Sequence, residues 1–327
     1  MVDERFYLHN LHQEGGISVF QNQDPNLRRL QNQSLKYSSE LVLNFPINDP
    51  CIMTLTGGRQ IGKTTLLKQW MLHLLQKKIS AENIFYLTGE MIDDHHALVR
   101  IVQQISSSLK SSHLWYLIID EVTYIQNWDK GIKFLADLGI FENCIVMLTG
   151  SDQVILQESR RRFPGRRGHT NHPVDFHFHP LSFLEFVQLY HQLLLKSVQE
   201  NTEEIFKLFS RYLLHGGFLT AINEYEKTGN IASSTYQTYS DWIRGDVVKK
   251  NKSENNLQEI FTAIMKTYGS QVSWNSLCDH MSIQHPQTVI DYIEILQSMD
   301  VLIVQQALRE DKLSPAPKKP KKIHFKD

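Results

Sequence analysis

One stretch, Gly57-Gly58-Arg59-Gln60-Ile61-Gly62-Lys63-Thr64, constrains this chain more than any other. It matches G-x-x-x-x-G-K-[ST] at every position, the pattern of a loop that cradles phosphate. The flanks fit the motif. Cys51 to Thr56 reads as a buried strand and Thr65 to Leu75 as a helix. Strand, glycine loop and helix in that order are what a phosphate cradle requires. Gly57 and Gly62 adopt backbone angles that other residues resist. The loop N–H groups then converge on a phosphate, with the positive end of the helix dipole behind them. The nucleotide-binding set is therefore Gly57, Gly58, Arg59, Gln60, Ile61, Gly62, Lys63, Thr64 and Thr65. Lys63 reaches the β- and γ-phosphates, and the Thr64 hydroxyl ligates Mg²⁺.

At 327 residues the chain is too long for one ordinary domain. Its formal charge of −1 gives no global pull toward nucleic acid or a membrane surface, so such a role needs a local patch. Cys51, Cys144 and Cys278 are far apart and read as buried thiols in a reducing, cytoplasmic setting rather than as a disulfide framework. No stretch approaches 18 apolar residues, so no membrane span is expected.

From residue 51 to 179 strand and helix patterns alternate, which implies a parallel sheet with helices on both faces. Asn83 to Thr88 is a strand. Asp93-Asp94 caps a helix with Leu98, Ile101, Val102, Ile105 and Leu109 at helical spacing. Leu114 to Glu121 is an apolar run ending in two acids, as in a strand buried on both faces, and its carboxyl end is where open α/β sheets bind ligand. Asp120 is thus the partner of the loop, holding the Mg²⁺ that Thr64 ligates. A helix follows from about Trp128. Cys144 to Ser151 is a fourth strand, and Thr149 or Ser151 at its exit stands as a polar sensor of the γ-phosphate. Val174 to His179 alternates and makes a fifth, edge-type strand.

Arg160, Arg161, Arg162, Arg166 and Arg167 crowd a loop after the sensor strand. Such a run is usually a solvated face; Arg166 or Arg167 is the candidate to touch phosphate here or on a neighbouring copy. His169, His172, His177 and His179 have no carboxylate or cysteine at ligand spacing, so they are not read as a metal site. The arm 1–48, with a turn into a helix at Asp24-Pro25, could reach the nucleotide base, but packing on the core is its favoured role.

Residues 181–250 read as a helical lid, with one helix from Leu181 and another near Ile205 to Leu214 stopped by Gly216-Gly217. Residues 251–310 give three helices and a strand, the order of a winged helix. The third helix argues against base reading: 281–300 contain no Lys or Arg but do contain Asp291, Glu294 and Asp300. The tail 311–327 is basic and is expected to be either disordered or laid against the winged helix as one short strand, with Ile323-His324-Phe325 able to join a sheet edge.

The residues resemble prokaryotic predicted ATPases of the AAA+ superfamily. The matching stretches are Asp24-Pro25, Thr56 to Thr65, Ile118-Ile119-Asp120-Glu121-Val122 with Trp128, Thr149-Gly150-Ser151, Gly165-Arg166-Arg167-Gly168, Pro180 to Phe186, and Gly216-Gly217-Phe218. The resemblance implies an α/β P-loop fold of the additional-strand type with a parallel five-stranded sheet, followed by the helical lid and winged helix. Its domains are 1–48, 49–180 (the ATPase core), 181–250, 251–310 and 311–327. It also implies that Glu121 polarises the attacking water, so the catalytic set is Glu121, Lys63, Thr149 and Arg166, with Thr64 and Asp120 on the metal. Two departures stand out. Leu219 occupies a position usually held by proline, and Lys321 to Asp327 resembles the opening of a nuclease-like third domain of which only this start is present, so no nuclease activity is expected.

The expected function is Mg²⁺-dependent, slow ATP hydrolysis driving a switch or motor. Two other readings keep the nucleotide but drop turnover: a DNA-binding regulator, and a scaffold in a defence or toxin system. Expected partners are ATP, a protein or a second copy of the chain, and DNA bound weakly without sequence preference through the arginine loop or lysine tail.

Overall fold

A computed structural model of the chain describes residues 4–109, 113–150, 163, 165–168, 172–194, 202–312 and 314–326. They fall into two compact units, 1–227 and 228–327.

In the first unit, β1 (Cys51–Thr56), β2 (Ile84–Thr88), β3 (Trp115–Asp120), β4 (Cys144–Thr149) and β5 (Asp175–His177) form one sheet in the order β2-β3-β4-β1-β5. Every pairing is parallel. Strand β4 stands between the strand that feeds the glycine loop and the strand that ends in Asp120. This is the additional-strand arrangement, and it brings Thr149 between the other two sites.

The strands are buried at nearly every position because helices cover both faces. Side chains alternate between two cores with the period of two that a strand imposes. Leu117, Ile119, Val146 and Leu148 join α5 (His95–Ser108) and α6 (Trp128–Asp137) on one face. Tyr116, Ile118, Ile145 and Met147 join α4 (Lys63–Gln76) on the other. Helix α4 presents Leu66, Leu67, Trp70, Met71 and Leu74, spaced to share one face. Burying Leu67 completely contributes about 1.5–3 kcal/mol. Asp94 caps α5 by accepting from the Ala97 amide at 2.8 Å.

The amino-terminal arm is α1 (His12–Gln23), α2 (Pro25–Gln31) and α3 (Leu41–Asn44). Asp24 caps α2, accepting from the Asn26 and Leu27 amides at 2.9 and 3.1 Å. The arm also covers the otherwise open edge of β2. Asn10 donates to the Tyr86 carbonyl and accepts from the Tyr86 amide, both at 2.8 Å. His12 and Gln13 both engage the Ile84 carbonyl. An edge strand is thereby closed by side chains instead of by another strand.

Helices α7 (Phe183–Leu194), α8 (Thr202–His215) and α9 (Leu219–Thr228) follow the sheet. Helix α10 (Ser233–Lys249), which the expectation placed with 181–250, falls in the second unit, where Val247 is fully buried.

The second unit adds α11 (Glu254–Lys266), α12 (Trp274–Cys278), α13 (Pro286–Ser298) and a hairpin of β6 (Leu302–Gln306) with β7 (Lys321–Phe325). Of the two expectations for the tail, disorder or one short strand laid against the winged helix, the second is what is seen, and the tail is not a separate piece: Lys321–Phe325 is the hairpin's second strand. Ile323 pairs with Val304 and is 4% exposed in the unit's core, and Lys321 exchanges backbone bonds with Val272. Ile323 buries apolar surface only once β6 is in place, so the tail's own sequence shows a strand without showing its partner. No helix among the described residues is long and apolar enough to cross a membrane.

Candidate functional site

Strand β1 ends at Thr56 and α4 begins at Lys63, so the loop between them sits at the carboxyl edge of the sheet. Gly62 precedes α4 with φ 99°, and Gln60 also has positive φ, 62°. Gly57 lies so close to its neighbour that a Cβ there would stand 2.5 Å from the Phe178 carbonyl oxygen. Glycine is what permits that approach. The Lys63 ammonium is 5% exposed and donates to the Gly57 and Gly58 carbonyls at 3.0 Å each. It also stands 4.0 Å from a Glu121 carboxylate oxygen.

Asp120, at the end of β3, is the hub. Its Oδ2 accepts from the Thr64 hydroxyl at 2.6 Å and from the Tyr86 hydroxyl at 2.6 Å. Its Oδ1 accepts from the Thr149 hydroxyl at 2.5 Å. The Thr149 oxygen in turn accepts from the Glu121 amide at 3.0 Å. Glu121 leaves the strand with φ 52°, which turns its side chain out of the sheet and toward Lys63. Gly89 makes room for this turn, since a Cβ there would meet the Glu121 carbonyl oxygen at 2.3 Å.

A cavity of about 440 Å³ opens over the loop. Arg59, Gln60, Ile61, Gly62, Lys63, Thr64 and Thr65 form one wall, and Glu121 and Tyr124 another. The arm supplies Asn26, Arg29, Leu30, Gln33 and Tyr37, joined by Gln69 of α4. The favoured expectation, an arm that packs on the core alone, is therefore too narrow. Leu181, Leu219 and Thr220 close the cavity from the helical side. Its described lining contains no thiol or imidazole, and the groups that converge at Thr64 and Asp120 are oxygens, the donor type a hard divalent cation takes.

The predicted residues separate into three groups. Lys63, Thr64, Asp120, Glu121 and Thr149 converge. Thr149 is fully buried with its hydroxyl engaged by Asp120 and the Glu121 amide, so it braces the two acids instead of lining the cavity. The part of the expectation that places Arg166 on a phosphate of this chain's own loop is corrected. Its Nε donates to Asp137 at the far end of α6 at 2.5 Å, and the Arg167 carbonyl accepts from the Ile52 amide. Both arginines sit where β1 begins, a full strand away from the loop, and Arg167 is held there by Asp175. A strand of this length separates its ends by about 20 Å, so neither reaches a phosphate in this chain's own loop. Ser151, Arg160, Arg161, Arg162 and His169 lie outside the described residues.

Sequence reasoning missed Tyr86 and Lys68. Lys68 is 0% exposed, donates to the His9 carbonyl at 2.8 Å, stands 3.5 Å from Asp24 Oδ2 and lies 3.5 Å above the Tyr86 ring. Burial pulls its pKa down to about 8, against the upward pull of Asp24 and Asp120. Burial, followed by the nearby Asp120, raises the Tyr86 pKa well above its ordinary value. Both left a signal. Lys68 interrupts the apolar face of α4 one turn after Thr64, and Tyr86 brings a hydroxyl into a buried strand, where it needs a partner.

Residues 49–187 match the family model described as an AAA domain, and residues 206–327 match a domain of unknown function, DUF8612. An uncharacterized protein of Haemophilus influenzae is 29% identical over 177 residues, covering 52% of this chain and 40% of that one. An uncharacterized protein of Methanocaldococcus jannaschii is 23% identical over 280 residues, covering 77% of this chain and 56% of its own. The chain thus spans about half the length of the curated relatives it matches. Among solved structures, a Walker-type ATPase of Pyrococcus abyssi superposes with a TM-score of 0.52 at 14% identity, covering 85% of this chain and 89% of that one, which is a likeness of fold.

Proposed function

We propose, from the premise that residues 49–187 are a P-loop domain of the prokaryotic AAA+ ATPases, that this chain binds ATP with Mg²⁺ and hydrolyses it slowly to ADP and phosphate as a nucleotide-driven switch or motor. The observation that carries the reading is the convergence of the Thr64 and Thr149 hydroxyls on Asp120, with the Glu121 amide donating to Thr149, beside a Lys63–Glu121 pair at 4.0 Å.

The loop amides from Gly58 to Thr65 bind the phosphates. Lys63 gives up the loop carbonyls for β- and γ-phosphate oxygens, which are stronger acceptors because they are charged. Thr64 and Asp120 hold the metal. Mg²⁺, when bound, neutralises charge on the β- and γ-phosphates. Glu121 accepts the proton of the attacking water, and Thr149 keeps the two acids in register. Asn26, Arg29, Gln33 and Tyr37 give the arm a polar surface for the nucleotide base.

The three helices and hairpin of 251–326 support a winged-helix assignment. On α13, Asp291 pairs with Lys252 at 2.9 Å and accepts from Gln287 at 3.0 Å. Helix α13 itself carries no Lys or Arg, and Lys252 beside it is paired with Asp291, so DNA is bound weakly and without sequence preference, and a protein or a second copy of the chain is the favoured partner. Cys51, Cys144 and Cys278 carry free thiols, which supports the cytoplasmic placement.

The test is phosphate release from ATP, GTP, CTP and UTP, with Mg²⁺ and with EDTA, with and without DNA. Mg²⁺-dependent release from ATP that falls in the Glu121→Gln variant is expected. Equal release from wild type and that variant would remove the hydrolytic assignment, and no nucleotide binding at all would remove the site.

A further inference from the structure

We propose that Tyr86 is a positioning residue for the metal-holding carboxylate, and that the amino-terminal arm acts on the ATPase site through it. This rests on the ATPase reading above and adds a part of the chain to it. An ionised carboxylate has about four acceptor sites, two on each oxygen. In Asp120, Thr64 and Tyr86 occupy both sites of Oδ2, and Thr149 occupies one on Oδ1. Among the described residues' bonds, one acceptor site remains for a metal-bound water. The Tyr86 hydroxyl decides which one, because without it Oδ2 also has a vacant site and the carboxylate can present either oxygen.

Tyr86 can do this only if its ring is fixed, and the arm fixes it directly through Asn10 and His9 and indirectly through Lys68 of α4. Asn10 takes both backbone groups of Tyr86, at 2.8 Å each. The His9 ring stacks on the Tyr86 ring with centroids 5.3 Å apart. On the ring lies the Lys68 ammonium, at 3.5 Å from its centroid, where a cation is attracted to the aromatic face. Lys68 is held there by the His9 carbonyl and by Asp24. Asp24 is itself 0% exposed, and its Oδ2 has no hydrogen-bond donor among the described residues, so the 3.5 Å ion pair to Lys68 is what compensates that oxygen. A core that only needed volume at position 86 would be filled by phenylalanine with no hydroxyl to satisfy and no buried lysine to compensate. Asp24, Lys68, Tyr86 and Asp120 instead form one continuous chain from the cap of α2 to the metal site. Helix α2 also contributes Asn26, Arg29 and Leu30 to the nucleotide cavity, so the element that would meet the base is the element that steadies the carboxylate.

The experiment measures ATP affinity by calorimetry in EDTA and across a Mg²⁺ titration, for wild type, Tyr86→Phe, Asn10→Ala and Tyr116→Phe. Tyr116→Phe is the control: it also removes a buried tyrosine hydroxyl bond, 2.6 Å to the Ile47 carbonyl, at the other end of its strand from Asp120. Losing a residue that orients a metal ligand typically lowers metal affinity about 10–100-fold. The Mg²⁺ concentration for half-maximal enhancement is therefore expected to rise about tenfold in Tyr86→Phe, and in the same direction in Asn10→Ala, with affinity in EDTA unchanged. Tyr116→Phe is expected to melt earlier without moving that midpoint. If Tyr86→Phe keeps the wild-type Mg²⁺ midpoint, or Tyr116→Phe moves it equally, the positioning role is overturned while the ATPase reading stands. If wild type itself shows no Mg²⁺-enhanced ATP binding, the ATPase reading falls and takes this inference with it.

Discussion

Lys63 and Glu121 face each other across 4.0 Å, the base of the phosphate loop against the acid that follows the Asp120 strand. The lysine side chain is 5% exposed and the glutamate 22%, so the pair sits at the boundary between the buried loop and the open cavity. In the proposed hydrolysis the lysine faces the phosphates and the glutamate faces the attacking water, so changing each in turn separates binding from turnover.

Lys63→Ala removes the charged donor to phosphate. ATP binding is expected to weaken by about 1.5–3 kcal/mol, roughly ten- to a hundredfold. Calorimetric titration checks this, and an unchanged affinity would mean that the loop is not the nucleotide site.

Glu121→Gln keeps the size of the side chain and removes the proton acceptor. Affinity for ATP with Mg²⁺ is expected to hold or rise, because the like charge facing the γ-phosphate is gone, while single-turnover hydrolysis drops by at least about a hundredfold. Undiminished turnover would move the water-activating role to another residue.

Gly89→Ala tests the turn that aims Glu121. A Cβ at residue 89 would meet the Glu121 carbonyl oxygen at 2.3 Å, well inside contact distance, so the turn must shift. Hydrolysis is expected to fall while ATP affinity, set by the loop, changes little. The kcat and KM of this variant should therefore separate, and a loss confined to KM would contradict the prediction.

His12 makes stability depend on pH. Burial holds its pKa down to about 4, and its Nε2 engages the Ile84 carbonyl. The folded pKa lies below the unfolded one of about 6.5. Between those values the unfolded chain binds a proton that the folded chain does not, so stability from this group is intact above about pH 6.5 and falls as the pH drops toward 4. The loss approaches about 3 kcal/mol at the lower end. Urea unfolding at several pH values is expected to show a shallower acid slope in His12→Gln. Parallel curves for the two proteins would show that His12 is not the titrating group.

Ile323→Ala tests whether the carboxyl-terminal strand is part of the second unit's core. Truncating a buried isoleucine costs about 2–5 kcal/mol. A lowered thermal midpoint with ATP affinity retained is expected, and a midpoint equal to wild type would make the strand dispensable.

The sequence by itself determined the parts of the site that are contiguous in the chain. The loop from Gly57 to Thr64 announces itself because one short segment must supply the glycine angles, the amides and the lysine together. Asp120-Glu121 is legible because a strand buried on both faces cannot end in two acids unless its carboxyl edge is polar. The cap at Asp94, set by a local bond, and the strand-helix alternation were likewise readable. Tertiary structure alone decided what each distant segment meets. Arg166 and Arg167 follow β4 closely in sequence, yet the chain carries them back to the start of β1, where Asp137 and Asp175 pair with them. The arm reads as packing, yet Asn10 and Asp24 reach the site through Tyr86 and Lys68, pairings that span 44 to 76 residues. The tail's strand shows no partner until β6 lies beside it. Local backbone and burial preferences are written in neighbouring residues, whereas the partner of a buried charge or an open strand edge is fixed only when the whole chain is closed around it.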